Sequence, residues 1–244
     1  MTGQFARLRF PNESAEYRTA RNALLDAEME LRRQIERVAA QRRALPPGGE
    51  IPEDYVFERI GADLRPEKVR LSELFGDHPS ILIYSFMFGP ERDSPCPGCT
   101  HLLDAMDGGA RHAWQRLPIY VVAKSPIARL VALAKERGWN SLALLSTAGN
   151  SYDADYHGDT SKMSPEMRAE RGYEVGKDWD ETIFNVFHKD SDTIRHFWAS
   201  EMAFAPEEPG QHHRAGDLAD PLWNLLDMAP EGRGKDWFPK IRYP

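Results

Sequence analysis

The stretch Ile81–Thr100, ILIYSFMFGPERDSPCPGCT, decides how the rest of the chain is read. Its first eight residues are a near-continuous apolar run of β-formers, which predicts a strand covered on both faces. A loop through Gly89-Pro90 leads to two thiols spaced by two residues, Cys96-Pro97-Gly98-Cys99. Thr100 to about Trp114 then reads as a helix, loosened by Gly108-Gly109. Two thiols opening a helix behind a buried strand have a mechanical logic. The first sulfur sits where unpaired N–H groups and the helix macrodipole favour an anion. The thiolate is the nucleophile, and such positions bring a thiol pKa from about 8.5 into a range of roughly 3.5–7.5. The second thiol, one turn later, is placed to attack a mixed disulfide and release the bound group. Pro97 sets the first turn where a missing N–H costs little, and Gly98 leaves the approach to sulfur open.

The pattern continues on either side. Ile119–Ala123 reads as a second buried strand. Ser125 is placed to cap a helix with Pro126 at its first position, running through Leu130, Leu133 and Ala134 to Gly138. Leu142–Leu145 is a third strand. The order β, CxxC, α, β, α, β predicts an α/β fold with parallel strands joined by helices. Upstream, Tyr55–Ile60 alternates like a short strand, and Val69–Phe75 reads as a turn into one helical turn ending at Gly76. Downstream, the polar, turn-rich residues 147–182 read as a long surface insertion. Ile183–His188 and Thr193–Trp198 form a hairpin around Asp190-Ser191-Asp192. Leu222–Met228 closes with a helix before a Gly/Pro-rich tail.

Residues from about Glu13 to Leu45 predict one long helix, with Asn12 as N-cap and Pro46-Pro47-Gly48-Gly49 as the stop. Leu24, Leu31, Ile35, Val38 and Leu45 form a coiled-coil-like seam. That seam packs either across its own domain or against a second copy, making a homodimer. The organisation expected is an N-terminal helical arm over residues 1–50 and an α/β domain over residues 51–244.

Thirty-one Lys+Arg against 38 Asp+Glu give a formal charge of -7. This balance disfavours general nucleic-acid binding, which needs a basic surface. No window approaches the roughly 18 apolar residues that span a bilayer. The first residues lack the pattern of a signal peptide, so a cytoplasmic location is expected and no membrane partner. Two cysteines three positions apart close almost no loop, so they serve redox chemistry or metal binding rather than stability.

Other polar residues are weaker candidates. Glu91, Arg92 and Asp93 precede the cysteines and are placed to tune them, or to form a solvated loop. Ser94 offers a hydroxyl. Lys124 ends the second strand, where α/β sites gather, and Asp104 faces either the site or water. His101 and His112 would have to supplement the cysteines in a metal site, because there is no second CxxC. The pair His212-His213 reads as loop surface, and Trp139, Trp198 and Trp223 as packing residues.

Together, Ile81–Glu91 (ILIYSFMFGPE), Cys96–Cys99 (CPGC), Val121–Pro126 (VVAKSP) and Leu226–Arg233 (LDMAPEGR) resemble a bacterial thioredoxin-like family of uncharacterised function, domain of unknown function 899. Glu28–Pro46 is similar to that family too. The resemblance implies a thioredoxin-like fold, a central mixed sheet flanked by helices, with added N- and C-terminal elements. It puts Cys96 and Cys99 at the positions of attacking and resolving thiols, with Pro97, Gly98, Ser94, Lys124 and Thr182 as neighbours. Thioredoxins usually carry a cis-proline before the strand that follows the active-site helices; here Trp179-Asp180-Glu181-Thr182 stands there without one. Peroxiredoxins typically place a threonine shortly before the reactive cysteine, and here the neighbours are Asp93, Ser94 and Pro95.

Three functions follow as expectations. The first is a thiol–disulfide oxidoreductase without organic cofactor, acting on a disulfide or oxidised thiol and regenerated by an external thiol reductant. The second is a redox-sensing or partner-binding module without turnover. The third is a metal-binding protein using Cys96, Cys99 and His101.

Overall fold

The computed structural model describes residues 8–174, 176–234 and 236–244. The chain divides between Pro46 and Pro47 into two compact units.

The first unit is built on helix α1 (Ala15–Arg43). Its N-cap is Ser14, whose Oγ accepts the Tyr17 N–H at 3.0 Å. Asn12, expected in that role, instead occupies a turn with φ +60°. Glu30 pairs with Arg33 at 2.6 Å and with Arg37 at 2.9 Å along one exposed face. The helix has no buried residue.

The second unit is organised by one seven-stranded mixed sheet. Its strands are β1 (Val56–Ile60), β2 (Pro66–Arg70), β3 (Ser80–Ser85), β4 (Ile119–Ala123), β5 (Ala143–Ser146), β6 (Ile183–Asp190) and β7 (Thr193–Ala199), in the order β2-β1-β5-β4-β3-β6-β7. β3, β4 and β5 are parallel, and β1, β6 and β7 add antiparallel pairs. Helices α2 (Pro97–Ala113) and α3 (Ile127–Arg137) make the two crossovers. A β-α-β unit extended on its other side by an antiparallel hairpin is the thioredoxin-like arrangement that the resemblance implies.

The central strands are apolar through their middles because both faces are covered. Ile81 and Ile83 of β3, with Tyr120 and Val122 of β4, pack on one side with Leu71, Leu74 and Phe75 of a 3-10 turn (Leu71–Phe75). Tyr84, Val121 and Ala123 face the other side, against Leu102 and Leu103 of α2 and Ile127, Leu130 and Leu133 of α3. Asp104 ties the two helices together, pairing with Arg137 and accepting the Trp139 indole N–H at 2.8 Å.

Three sequence expectations change. β2, where only a turn was expected, pairs antiparallel with β1, and its Pro66 starts an edge strand, where no ladder N–H is needed. Ser125 does not cap α3; Pro126 takes that place, and the buried Ser125 hydroxyl donates to the Phe88 carbonyl. Residues 147–182 are no surface insertion. They form short helices α4 (Tyr152–Asp155) and α5 (Pro165–Glu170), and they bury Tyr152, Asp153, Asp159, Thr160 and Met163.

One close approach there needs a glycine. Asp153 Oδ1 and the Ser85 hydroxyl crowd the point where a Gly158 side chain would begin. Asp153 also accepts the Thr147 hydroxyl. Helix α6 (Pro221–Leu226), N-capped by Asp220, completes the unit.

Candidate active site

Cys96 is the N-cap of α2, with Pro97 at the first helical position. Its backbone is tied down at both ends: its N–H donates to the Met87 carbonyl at 3.0 Å, and its carbonyl accepts the Thr100 N–H at 2.9 Å. The Thr100 hydroxyl donates to the same carbonyl at 2.8 Å. Cys96 is half-buried, Cys99 is buried, and both are free thiols 3.6 Å apart. The proline and the cap are local consequences of sequence, and they place the first cysteine at the helix N-terminus.

Two equal thiols become unequal in this setting. The hydrogen bond from Cys99 leads in lowering the Cys96 pKa, against the opposing effect of burial. The backbone N–H groups of Cys99 and Gly98 and the charge of Arg92 act the same way, and the result is about 6. The same interaction with Cys96, reinforced by burial, pushes Cys99 well above the ordinary thiol range. Cys96 is therefore the more readily ionised of the two thiols, and Cys99 the one that keeps its proton.

Behind Cys99 stands a buried relay. The Thr182 hydroxyl donates to Tyr84 Oη at 2.8 Å, and the Tyr84 hydroxyl in turn meets the Cys99 thiol and favours its ionised form. Thr182 immediately precedes β6, and it lines the same cavity as the two cysteines. The sequence reading treats Tyr84 as one more strand residue, and its signal is the one phenol hydroxyl in the run ILIYSFMF.

Arg92 reaches the site through a partner. It pairs with the buried Asp180, which also accepts the Gly89 N–H at 2.5 Å. Arg129 stiffens the same loop, donating to the Gly89 carbonyl at 3.0 Å and lying 3.9 Å from the Phe88 ring centroid. Lys124 is turned elsewhere, pairing with Asp159 at 2.6 Å. Ser94 is exposed on the loop. Asp104 is engaged between the helices, as described above.

His101 faces the C-terminal segment. Its Nε2 lies 3.1 Å from Asp220 Oδ2. Burial holds the His101 pKa below its ordinary value and Asp220 above its own, drawing the pair toward its uncharged form. Among the described residues no cluster of three or more His, Cys, Asp or Glu side chains is arranged to hold a metal.

A cavity of about 750 Å³ opens beside the sulfurs. Cys96, Cys99, Thr182 and His101 line it together with aromatic and aliphatic side chains from β6, the 3-10 turn Glu201–Phe204, and the C-terminal segment. Trp223, expected as a packing residue, and His213, expected on a loop surface, both line it. The segments that close it lie more than 70 residues beyond the cysteines, and no local pattern announces them.

Residues 8–243 match the model of a family described as bacterial protein of unknown function (DUF899). The chain belongs to that family. A search of curated proteins found no significant match. Among solved structures, the DUF899 chain is similar to peroxidoxin BcpB from Mycobacterium tuberculosis, with 15% identity over 75% of this chain and 98% of that one and a TM-score of 0.45. It is also similar to the reduced 2-Cys peroxiredoxin of Plasmodium vivax, with 15% identity over 73% and 97% and a TM-score of 0.43. A peroxiredoxin-like protein from Aquifex aeolicus shows 12% identity over 64% and 75%, with a TM-score of 0.42. No helix among the described residues is long and apolar enough to cross a membrane.

Proposed function

We propose that the chain is a thiol–disulfide oxidoreductase of a reducing, cytoplasmic compartment. The observation that carries this is the electrostatic division of labour between the two thiols: Cys96 held near 6 and Cys99 pushed far above.

Each step balances. The Cys96 thiolate attacks one sulfur of a substrate disulfide, an S–S bond forms, and the leaving thiolate takes up a proton. Cys99 then loses its proton, stabilised as an anion by the Tyr84 hydroxyl, and attacks the Cys96 sulfur of the mixed disulfide. A Cys96–Cys99 disulfide forms, and the second substrate thiol leaves. Two electrons have passed from the dithiol to the substrate, and an external small thiol or dithiol returns them.

The test is turnover of a disulfide with dithiothreitol as reductant, with mass analysis of the adducts. Cys96→Ser is expected to abolish turnover. Cys99→Ser is expected to accumulate a mixed disulfide on Cys96. Full turnover by Cys96→Ser would sink the assignment.

A further inference from the structure

Resting on that function, the cavity beside Cys96 narrows the substrate class. We propose that the site takes small, uncharged, apolar disulfides, rather than protein disulfides or anionic ones such as glutathione disulfide.

The first ground is shape. At about 750 Å³ the cavity falls within the range of small-molecule sites. Its sides come from the start of α2, the start of β6, the turn Glu201–Phe204 and the C-terminal segment. Phe238 reaches back over the helix N-terminus: a side chain begun at Gly98 would lie 3.0 Å from Phe238 Cζ and 3.8 Å from Cys96 Sγ. The reactive sulfur thus sits at the foot of an aromatic enclosure. A disulfide has to enter this concavity to reach Cys96, which favours a small molecule over a loop of a folded protein.

The second ground is chemistry. Met87, Leu102, Phe184, Phe204, Trp223 and Phe238 give the lining an apolar character. Most of its polar groups are already engaged, and His213, also in the lining, accepts the Ala215 N–H through Nδ1 at 3.1 Å. Arg171 pairs with the buried Glu181 at 2.9 Å and donates to the Ala203 carbonyl at 3.0 Å. The Ser200 hydroxyl accepts the Phe184 N–H at 2.9 Å, Thr182 is committed to Tyr84, and His101 to Asp220.

Glu170 and Glu207 add negative charge at the lining. Among the described residues, then, the lining offers an anionic substrate no uncommitted arginine or lysine and two carboxylates to repel it. Desolvating a substrate carboxylate here without a partner would be costly, whereas an alkyl chain meets matching surface.

The experiment uses the full chain, reduced, in single-turnover oxidation followed by mass and tryptophan fluorescence. Dimethyl, diethyl and dipropyl disulfide form a homologous series, compared with glutathione disulfide and insulin. Every rate is normalised to that with free dithiothreitol, which removes intrinsic reactivity. The normalised rate is expected to rise up to about fourfold per buried methylene, and dipropyl disulfide to exceed glutathione disulfide at least tenfold. Phe238→Asp, at a half-exposed position where folding is tolerant and can be checked by circular dichroism, is expected to flatten the series.

A flat series in the wild type, or equal normalised rates with glutathione disulfide or insulin, would overturn the proposal. 2,2′-Dithiodipyridine separates this from failure of the underlying function. Release of two thiopyridones per chain, with formation of the Cys96–Cys99 disulfide, shows a competent dithiol whatever the selectivity.

Discussion

At the scale of single residues, two thiols of identical intrinsic chemistry are told apart by their neighbours. Cys96 gains from the Cys99 thiol, from helix N–H groups and from Arg92. Alkylation of the reduced protein by iodoacetamide should therefore rise with pH through a midpoint near 6, and mass mapping should place the adduct on Cys96. Arg92→Gln is expected to move that midpoint upward, because one of the charges favouring the thiolate is gone. The sign carries into stability. Cys96 is depressed in the folded chain relative to an ordinary thiol near 9, so the folded state holds fewer protons between about pH 6 and pH 9. Its contribution to stability grows with pH across that window and is lost as pH falls through 6. Above pH 9 Cys99, displaced the other way, opposes it. Tyr84→Phe removes the donor that favours the Cys99 anion and leaves the ring. It is expected to slow resolution by about a hundredfold, the lower end of what one positioned proton-handling group contributes. Quenched-flow detection of a longer-lived mixed disulfide on Cys96 would show this, and an unchanged lifetime would exclude the relay.

At the scale of elements, the segment 147–182 carries the clearest energetic consequences. Asp153 is buried against Thr147 and Ser85, and burial leads in raising its carboxyl to about 6. The folded chain therefore binds more protons than the unfolded chain between about pH 4 and pH 6, and stability from this group falls as pH rises through that window. Asp153→Asn lacks the penalty. It is expected to stabilise by up to about 2–3 kcal/mol at pH 8 and far less at pH 4, as read from denaturant midpoints at the two pH values. Gly158→Ala should cost about 2–4 kcal/mol in the same assay, since the added methyl meets the Asp153 carboxylate in a fixed loop. The same segment shows where sequence patterns stop being informative. β3 and β4 were legible because strands buried on both faces must be apolar throughout. Residues 147–182 bury carboxylates and hydroxyls held by partners distant in sequence, such as Lys124 on Asp159, and such burial has no period. Ser125 failed as a cap for a related reason: a tertiary acceptor, the Phe88 carbonyl, took its hydroxyl. Thr182 was legible only through the resemblance, as an occupant of the position before a strand.

At the scale of the whole molecule, the division at Pro46 has a direct test. Gly49 and Ile51 are stitched to β7, with the His196 N–H donating to the Gly49 carbonyl at 2.9 Å and the Ile51 N–H to the Ile194 carbonyl at 3.1 Å. Limited trypsin digestion is expected to cut within residues 32–43 and to leave a resistant fragment that begins before Gly48. Early cutting within residues 51–146 would contradict the second unit as described. The dithiol itself is legible because its two cysteines lie within four consecutive residues. Its enclosure is not, because Trp223 and Phe238 are brought to the sulfurs by the fold alone. That separation has a meaning in time as well as in space. Synthesis proceeds at about 5–20 residues per second, and Phe238 follows Cys99 by roughly 140 residues, so the ribosome delivers the thiols on the order of 10 s before the aromatic cover. During that interval the nascent chain carries its cysteines unroofed. The aromatic cover is the last part of the cavity to be made.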